Sequence, residues 1–255
     1  MNLLNIIILS AVEGLTEFLP ISSTAHLIIT SKILNIPPTD FQKLFEVFIQ
    51  SGAISAVIFI YFSYLKKNFL IIKSLFLSFL PTALTGFILY KIIKNIFFDS
   101  LFLIGFSLLT VGLFFILIEF FIKKRSLKKE MKEMNVKEAI IIGLSQSLAI
   151  IPGVSRAGAV IITMIILGYK REEAAIYSFL LAIPTILAAS FYDFYKSRDI
   201  LINNHNNIYN LLSGFLISFV FASFSVKWLI NYLKKKDLIV FGIYRIFLSF
   251  LVFFL

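Results

Sequence analysis

Glu13 and Glu17 stand four residues apart in EGLTEFLPISSTAHL, and Ser22, Ser23, Thr24 and His26 follow at once. A spacing of four puts both carboxylates on one helix face. There they can act as acid and base, share Mg²⁺ or Ca²⁺ with phosphate oxygens, or line a polar interior as a neutral pair. Ser22, Ser23 and His26 are candidate nucleophiles, with Glu17 as base or metal ligand and His26 also as an acid/base group. A second cluster, PGVSRAG, spans residues 152–158. Arg156 within it needs an anion, either a glutamate or a phosphate held bidentately. Gly153 lets main-chain N–H groups come close, and the helix starting near Ala157 offers its N-terminus to an anion. Thr24, Gly153, Ser155 and Arg156 are therefore the candidate phosphate binders. Glu46 and Gln50 repeat the spacing of four on a later helix, where they either complete the pocket or knit helices together. Arg245 is open between a buried glutamate and a ligand, and His205, in INNHNN, reads as an ordinary loop residue.

These groups sit in an oily chain. Hydrophobic residues make up 59% of it and charged ones 15%, against about 25% in soluble domains, and the mean hydropathy is +0.95. The net charge of +10 would suit nucleic acid, but the lysines fall in loops between apolar runs, which favours a membrane and its lipids as surroundings. With no cysteine, disulfides, thiolate catalysis and soft metal sites drop out. No Walker-type phosphate loop is present.

Six runs are close to the ~20 apolar residues a spanning helix needs: 41–64, 69–94, 100–122, 173–195, 208–233 and 238–255. Pro81 and Pro184 fall inside such runs and read as simple kinks. Residues 3–35 and 138–168 are apolar but broken, at Pro20–Ser23 and at Pro152–Arg156. If each broken stretch returns to the side it entered, loops 65–68, 123–137, 169–172 and 234–236 share one face. That face carries fourteen lysines and arginines, and the opposite loops two, Lys196 and Arg198. A full crossing at either break would divide the basic loops between the faces. The expected fold is an all-α polytopic membrane protein with six full transmembrane helices plus two re-entrant helical hairpins in an inverted repeat. Residues 1–255 form one membrane domain, with halves of about 1–122 and 138–255 joined by the basic loop 123–137. The breaks echo each other, LPISS against IPGVS, 132 residues apart. Broken helices meeting at mid-depth are a transporter-type architecture, so a transporter or lipid-phosphate flippase is the alternative to an enzyme.

EGLTEFLPISSTAHL resembles the first signature of the undecaprenyl-diphosphatase (bacitracin-resistance) family of bacterial inner-membrane enzymes, and PGVSRAG resembles the second. FEVFIQSGAI, YSFLLAIPTILAA and FGIYRIFL are also similar, so the likeness covers essentially the whole chain. The resemblance implies hydrolysis of undecaprenyl diphosphate to the monophosphate, recycling the lipid carrier of peptidoglycan synthesis and conferring bacitracin resistance. It further implies an active site of Glu13, Glu17, Ser22, Ser23, His26, Ser155 and Arg156, open to the periplasm and helped by a divalent cation. A homodimer is left open. Three positions depart from the family pattern: Ala25 for glycine, Ala157 for serine and Val160 for threonine, with Thr163 a candidate replacement for one lost hydroxyl.

Overall fold

The computed structural model describes residues 1–92, 100–123, 125–196 and 206–254; His205, Arg198, Lys124 and loop 95–99 lie outside them. Among the described residues ten α-helices follow one another, and the only β-pairing is a single bridge between Lys129 and Tyr169. The order is α1 (Leu3–Thr16), α2 (Ser23–Ile33), α3 (Asp40–Lys67), α4 (Phe69–Ile92), α5 (Leu101–Ile122), α6 (Val136–Ser147), α7 (Arg156–Ile166), α8 (Arg171–Lys196), α9 (Asn206–Leu233) and α10 (Ile239–Phe253). Five helices, α3, α4, α5, α8 and α9, are long and apolar enough to cross a membrane. Phenylalanines such as Phe59, Phe87, Phe102, Phe120 and Phe224 point outward, the surface expected against lipid rather than water. This is an all-α, multi-pass membrane protein.

The run expected at 238–255 forms a helix of 15 residues, roughly 22 Å at 1.5 Å per residue and short of the ~30 Å hydrocarbon thickness. Asp237 accepts from the main-chain N–H of Ile239 at 3.1 Å, which fixes the helix start. Pro81 and Pro184 are carried inside α4 and α8 without ending them.

In both broken stretches the chain after the second helix packs near the start of the first. Ile36, after α2, packs in one apolar cluster with Ile6 and Leu9 of α1. Glu138, at the start of α6, accepts from the Tyr169 hydroxyl just past α7 at 2.8 Å and pairs with Lys129. The two hairpins also end alike. Leu34 and Leu167 donate back to Thr30 and Thr163, and Asn35 and Gly168 then take positive φ, closing each helix with the left-handed cap that favours Gly or Asn.

Residues 1–122 and 138–255, the halves expected from the sequence, pack into each other. Gly14 of α1 lies so close to α9 that an added Cβ would sit 2.5 Å from the Ser218 carbonyl, and Ser225 of α9 donates to the Leu15 carbonyl at 2.8 Å. In the same way Gly143 of α6 abuts the Ser78 carbonyl of α4, and the Ser78 hydroxyl donates to the Ala139 carbonyl at 2.7 Å. Each hairpin is thus braced by a long helix from the other half. Meanwhile α5 pairs with α10, where Gly112 and Gly242 face each other's carbonyls.

The basic loops gather at one end. Lys170 bonds Glu130 at 2.7 Å, and Glu173 accepts from the Met131 N–H at 2.9 Å. Arg171 pairs with Glu119, which also accepts from the Leu238 N–H at 3.0 Å. Tyr64, beside loop 65–68, feels the charges of Glu173 and Glu130.

Candidate active site

The two breaks adopt the same unusual turn. Ser22 and Ser155 have φ of 72° and 71°, a region that costs a non-glycine residue about 1–3 kcal/mol, and each caps the helix that follows. Ser155 Oγ accepts from the Gly158 N–H at 3.1 Å, and Ser22 Oγ from that of Ala25 at 3.5 Å. The equivalent residues are therefore 133 apart, one more than the spacing read from LPISS and IPGVS. Identical letters suggested the shorter offset, but backbone conformation pairs Ser22 with Ser155 and Ser23 with Arg156. Each half sends a helix N-terminus into one place, where two sets of unpaired N–H groups favour an anion. The sequence reading identified only the N-terminus after Arg156.

Between the turns lies Glu17, the residue that closes α1. Its Oε2 accepts from the Ser23 hydroxyl, and its Oε1 accepts from Arg156 Nη2 at 2.7 Å. One carboxylate thus joins a hydroxyl of the first hairpin to the guanidinium of the second. These three side chains line a cavity of about 190 Å³ together with Thr24, Gln50 and Ser155. Ser22 and Gly153 also reach it. Gly153 has φ 94°, and a Cβ there would lie 2.8 Å from the Ile104 carbonyl, so only glycine fits this wall. The cavity sits toward the lysine-poor end. Gln50 is ten residues past Asp40 and seventeen short of Lys67 on α3, while Ala189 is eighteen past Arg171 and seven short of Lys196 on α8.

Other candidates fall outside the cavity wall. Glu46 accepts from Ser31 at 3.0 Å and from Gln42 at 2.9 Å, knitting α2 to α3, while Gln50 alone of that pair lines the cavity. His26 turns the other way: Nδ1 meets the Ser22 carbonyl and Nε2 the Tyr244 hydroxyl, both at 2.7 Å, with the rings stacked 5.6 Å apart. Tyr244 was missed from sequence, where a lone tyrosine in an apolar helix carries no signal. Among the described residues Arg245 pairs with no glutamate; it donates to the Pro20, Gly153 and Val154 carbonyls. Thr163 does not line the cavity, standing two turns along α7 from Arg156, roughly 10 Å away. Ala157 and Val160 are buried in the core.

Glu13 lies behind Glu17, 0% exposed, and both of its carboxylate oxygens lack a hydrogen-bond partner among the described residues. Its electrostatic neighbours are Glu17, Arg156 and Glu46. Described His, Asp and Glu residues form no group of three that would hold a metal alone. A hard divalent cation nevertheless fits the orphaned Glu13 oxygens beside Glu17, provided phosphate oxygens supply the rest of its shell.

Chemically, the cavity can receive an anion at Arg156 and two helix N-termini, beside a hydroxyl already bonded to a carboxylate. By fold and site this is a helical integral-membrane protein with an anion-suited cavity where two broken helices meet. Residues 6–251 match the family described as Bacitracin resistance protein BacA. The chain is similar to the undecaprenyl-diphosphatase of Sulfurihydrogenibium sp., 46% identical over 253 residues that cover 98% of each chain. It is also similar to those of Campylobacter hominis, 44% identical over 98% of this chain and 97% of the other, and Aquifex aeolicus, 43% identical over 95% and 94%. The chain belongs to the BacA family of bacitracin resistance proteins.

Proposed function

We propose that this chain is an undecaprenyl-diphosphatase. It hydrolyses undecaprenyl diphosphate to undecaprenyl phosphate and inorganic phosphate, recycling the lipid carrier of peptidoglycan synthesis and so conferring bacitracin resistance. The observation that carries the reading is Glu17 shared between the Ser23 hydroxyl and Arg156. A binding site for an intact lipid phosphate has no need to hold a hydroxyl against a carboxylate, whereas phosphoryl transfer does. No comparable observation favours the transporter or flippase reading.

Substrate enters from the lipid, its polyprenyl tail remaining among apolar side chains and its diphosphate reaching the cavity. Arg156, the Gly153 wall and the N-termini of α2 and α7 hold the phosphates, with Ser155 and Thr24 as further contacts. As Arg156 turns to phosphate oxygen, Glu17 is left to take the proton of Ser23. Ser23 Oγ bonds to the terminal phosphorus, the bond from that phosphorus to the bridging oxygen breaks, and undecaprenyl phosphate leaves with the electron pair. Water then attacks the phosphoserine phosphorus, the bond to Ser23 Oγ breaks, the proton held by Glu17 returns to that oxygen, and inorganic phosphate leaves. Arg156 and the converging N–H groups stabilise the charge on the transferring group. Ser23 is preferred over Ser22 and His26 because it alone touches Glu17; Ser22 caps a helix, and His26 is engaged by Ser22 and Tyr244. Glu13 and Glu17 would hold a Mg²⁺ or Ca²⁺ ion, whose chemistry is to neutralise phosphate charge.

The lysine-rich end faces the cytoplasm of a bacterial inner membrane by the positive-inside rule, which turns the cavity toward the periplasm. In this reading α10 is the sixth span, its shortness met by local thinning of the bilayer or by its flanking residues; α1–α2 and α6–α7 are the two re-entrant hairpins of an inverted repeat whose halves, about 1–122 and 138–255, are joined by loop 123–137. The matching turns and caps of the two halves support it. Whether the protein works singly or as a homodimer does not alter the chemistry, since every group named comes from one chain.

The test is phosphate release from the C55 diphosphate by purified protein in detergent. Release is expected, and intact substrate after prolonged incubation would contradict the assignment. For the cation, chelation is expected to stop release and Mg²⁺ or Ca²⁺ to restore it; full activity in chelator would remove the metal from the account.

A further inference from the structure

Arg245 carries a buried charge that the chemistry above does not use. It is 0% exposed on α10. Nη1 donates to the Pro20 carbonyl at 3.2 Å, and Nη2 donates to the carbonyls of Gly153 and, at 3.2 Å, Val154. One guanidinium therefore holds the turn before Ser22 and the turn before Ser155 together. The Phe115 ring backs it, 5.5 Å from centroid to guanidinium carbon. Its hydrogen bonds among the described residues all go to main-chain oxygens, its Nε has no partner there, and those carbonyls together with the Phe115 face offset the burial of its charge.

Those oxygens belong to irregular backbone that helices cannot satisfy, and at this depth an unpaired carbonyl is costly. A planar fork aims donors on two separate nitrogens at acceptors in two segments, whereas an ammonium must serve both from a single nitrogen and holds them less firmly. The preceding residue works in parallel, since Tyr244 bonds His26, which in turn holds the Ser22 carbonyl. The same two turns carry Ser23 and Arg156, which must reach Glu17 from opposite sides. Whatever fixes the separation of the turns fixes that contact.

We infer that Arg245 is a positioning residue that sets the separation of the two turns, and through it the Ser23–Glu17–Arg156 geometry on which turnover depends. The inference rests on the proposed hydrolase reading. Arg245→Lys keeps charge and approximate length but puts every donor on one nitrogen, so the two turns are no longer held at a set distance by a rigid fork. It is expected to remain folded and to lower kcat about 100-fold, the scale of a misplacement near 1 Å. KM for the C55 diphosphate should stay within about threefold, because the phosphate-binding groups remain. Amide hydrogen exchange should quicken at residues 19–24 and 152–158 together. A merely structural role would lower yield or melting temperature while leaving kcat per folded molecule unchanged. Folded Arg245→Lys with kcat within about twofold of wild type, or exchange that quickens at one turn only, overturns the inference. Should that variant fail to fold, Phe115→Leu, which loosens the backing without touching the carbonyls, carries both readouts with a loss of about tenfold and the same overturning outcomes. A wild type that releases no phosphate would remove the hydrolase reading, yet the exchange comparison would still decide whether Arg245 ties the turns.

Discussion

A change at Ser23 removes a reacting atom of the proposed chemistry, and a change at Gly153 crowds the cavity wall. Ser23→Ala leaves Glu17 and Arg156 in place and removes the attacking oxygen, so phosphate release should fall by about 10³-fold or more without loss of the folded protein. Near-normal release from that variant would move the attack to water or another group. Gly153→Ala meets both a φ of 94° and a carbonyl 2.8 Å from the new Cβ. A destabilisation of about 1–3 kcal/mol is expected, visible as a lower melting temperature together with lost turnover. Glu17 and Arg156 were legible in the sequence because ionisable groups are expensive in lipid and so rarely idle, and Ser23 because it lies in the polar break beside them. The work of Arg245 and Tyr244 was not, since main-chain carbonyls and a histidine edge leave no pattern in the residues that bond them. Glu46 matched the spacing of Glu13 and Glu17, yet spacing alone could not show that Ser31 and Gln42 already occupied it.

At the level of elements, the hairpins depend on close backbone approach to helices of the opposite half. Gly143→Ala would place a Cβ 2.2 Å from the Ser78 carbonyl and should cost about 1–3 kcal/mol through overpacking. Gly86, on α4 with nothing within 4 Å of an added Cβ, is the control, and its alanine variant should melt no lower than wild type. Equal melting temperatures for the two variants would contradict the interweaving. The lysine-rich end adds a pH signature. Hydrogen bonds from Lys132 and Lys170 hold the Glu130 carboxyl down to about 2 from its ordinary 4.5. A depressed carboxylate stabilises the fold fully above its ordinary value, and the contribution fades as pH falls toward 2. Glu130→Gln should therefore lower the melting temperature slightly at neutral pH, with the wild-type and variant curves converging in acid. The breaks in both hairpins were readable from Pro, Gly and Ser, but their register was out by one residue because the shared feature is a backbone angle rather than a shared letter. The shortness of α10 was already foreshadowed by its apolar run, which at 238–255 is the shortest of the six.

Across the whole molecule, the uneven lysines gave the common end of the basic loops, and Lys170–Glu130 and Arg171–Glu119 show what draws those loops together. The interweaving of the halves had no sequence signal, because helix partners are chosen by shape at small residues. The chain has no cysteine of its own. Single cysteines at Pro38 and Ser126 therefore test orientation: an impermeant maleimide should label the first in intact cells and the second only after lysis. The reverse pattern would turn the cavity toward the cytoplasm. The central claim is that the two hairpins make one catalytic unit through Glu17. The measurement that tests it most directly is phosphate release by Glu17→Gln, Arg156→Lys and the double variant, compared at equal amounts of folded protein. Each single change should remove nearly all turnover, and the double should be no slower than the worse single, as for groups that act together. Losses that multiply, or a single variant close to wild type, would mean the hairpins do not act as one site.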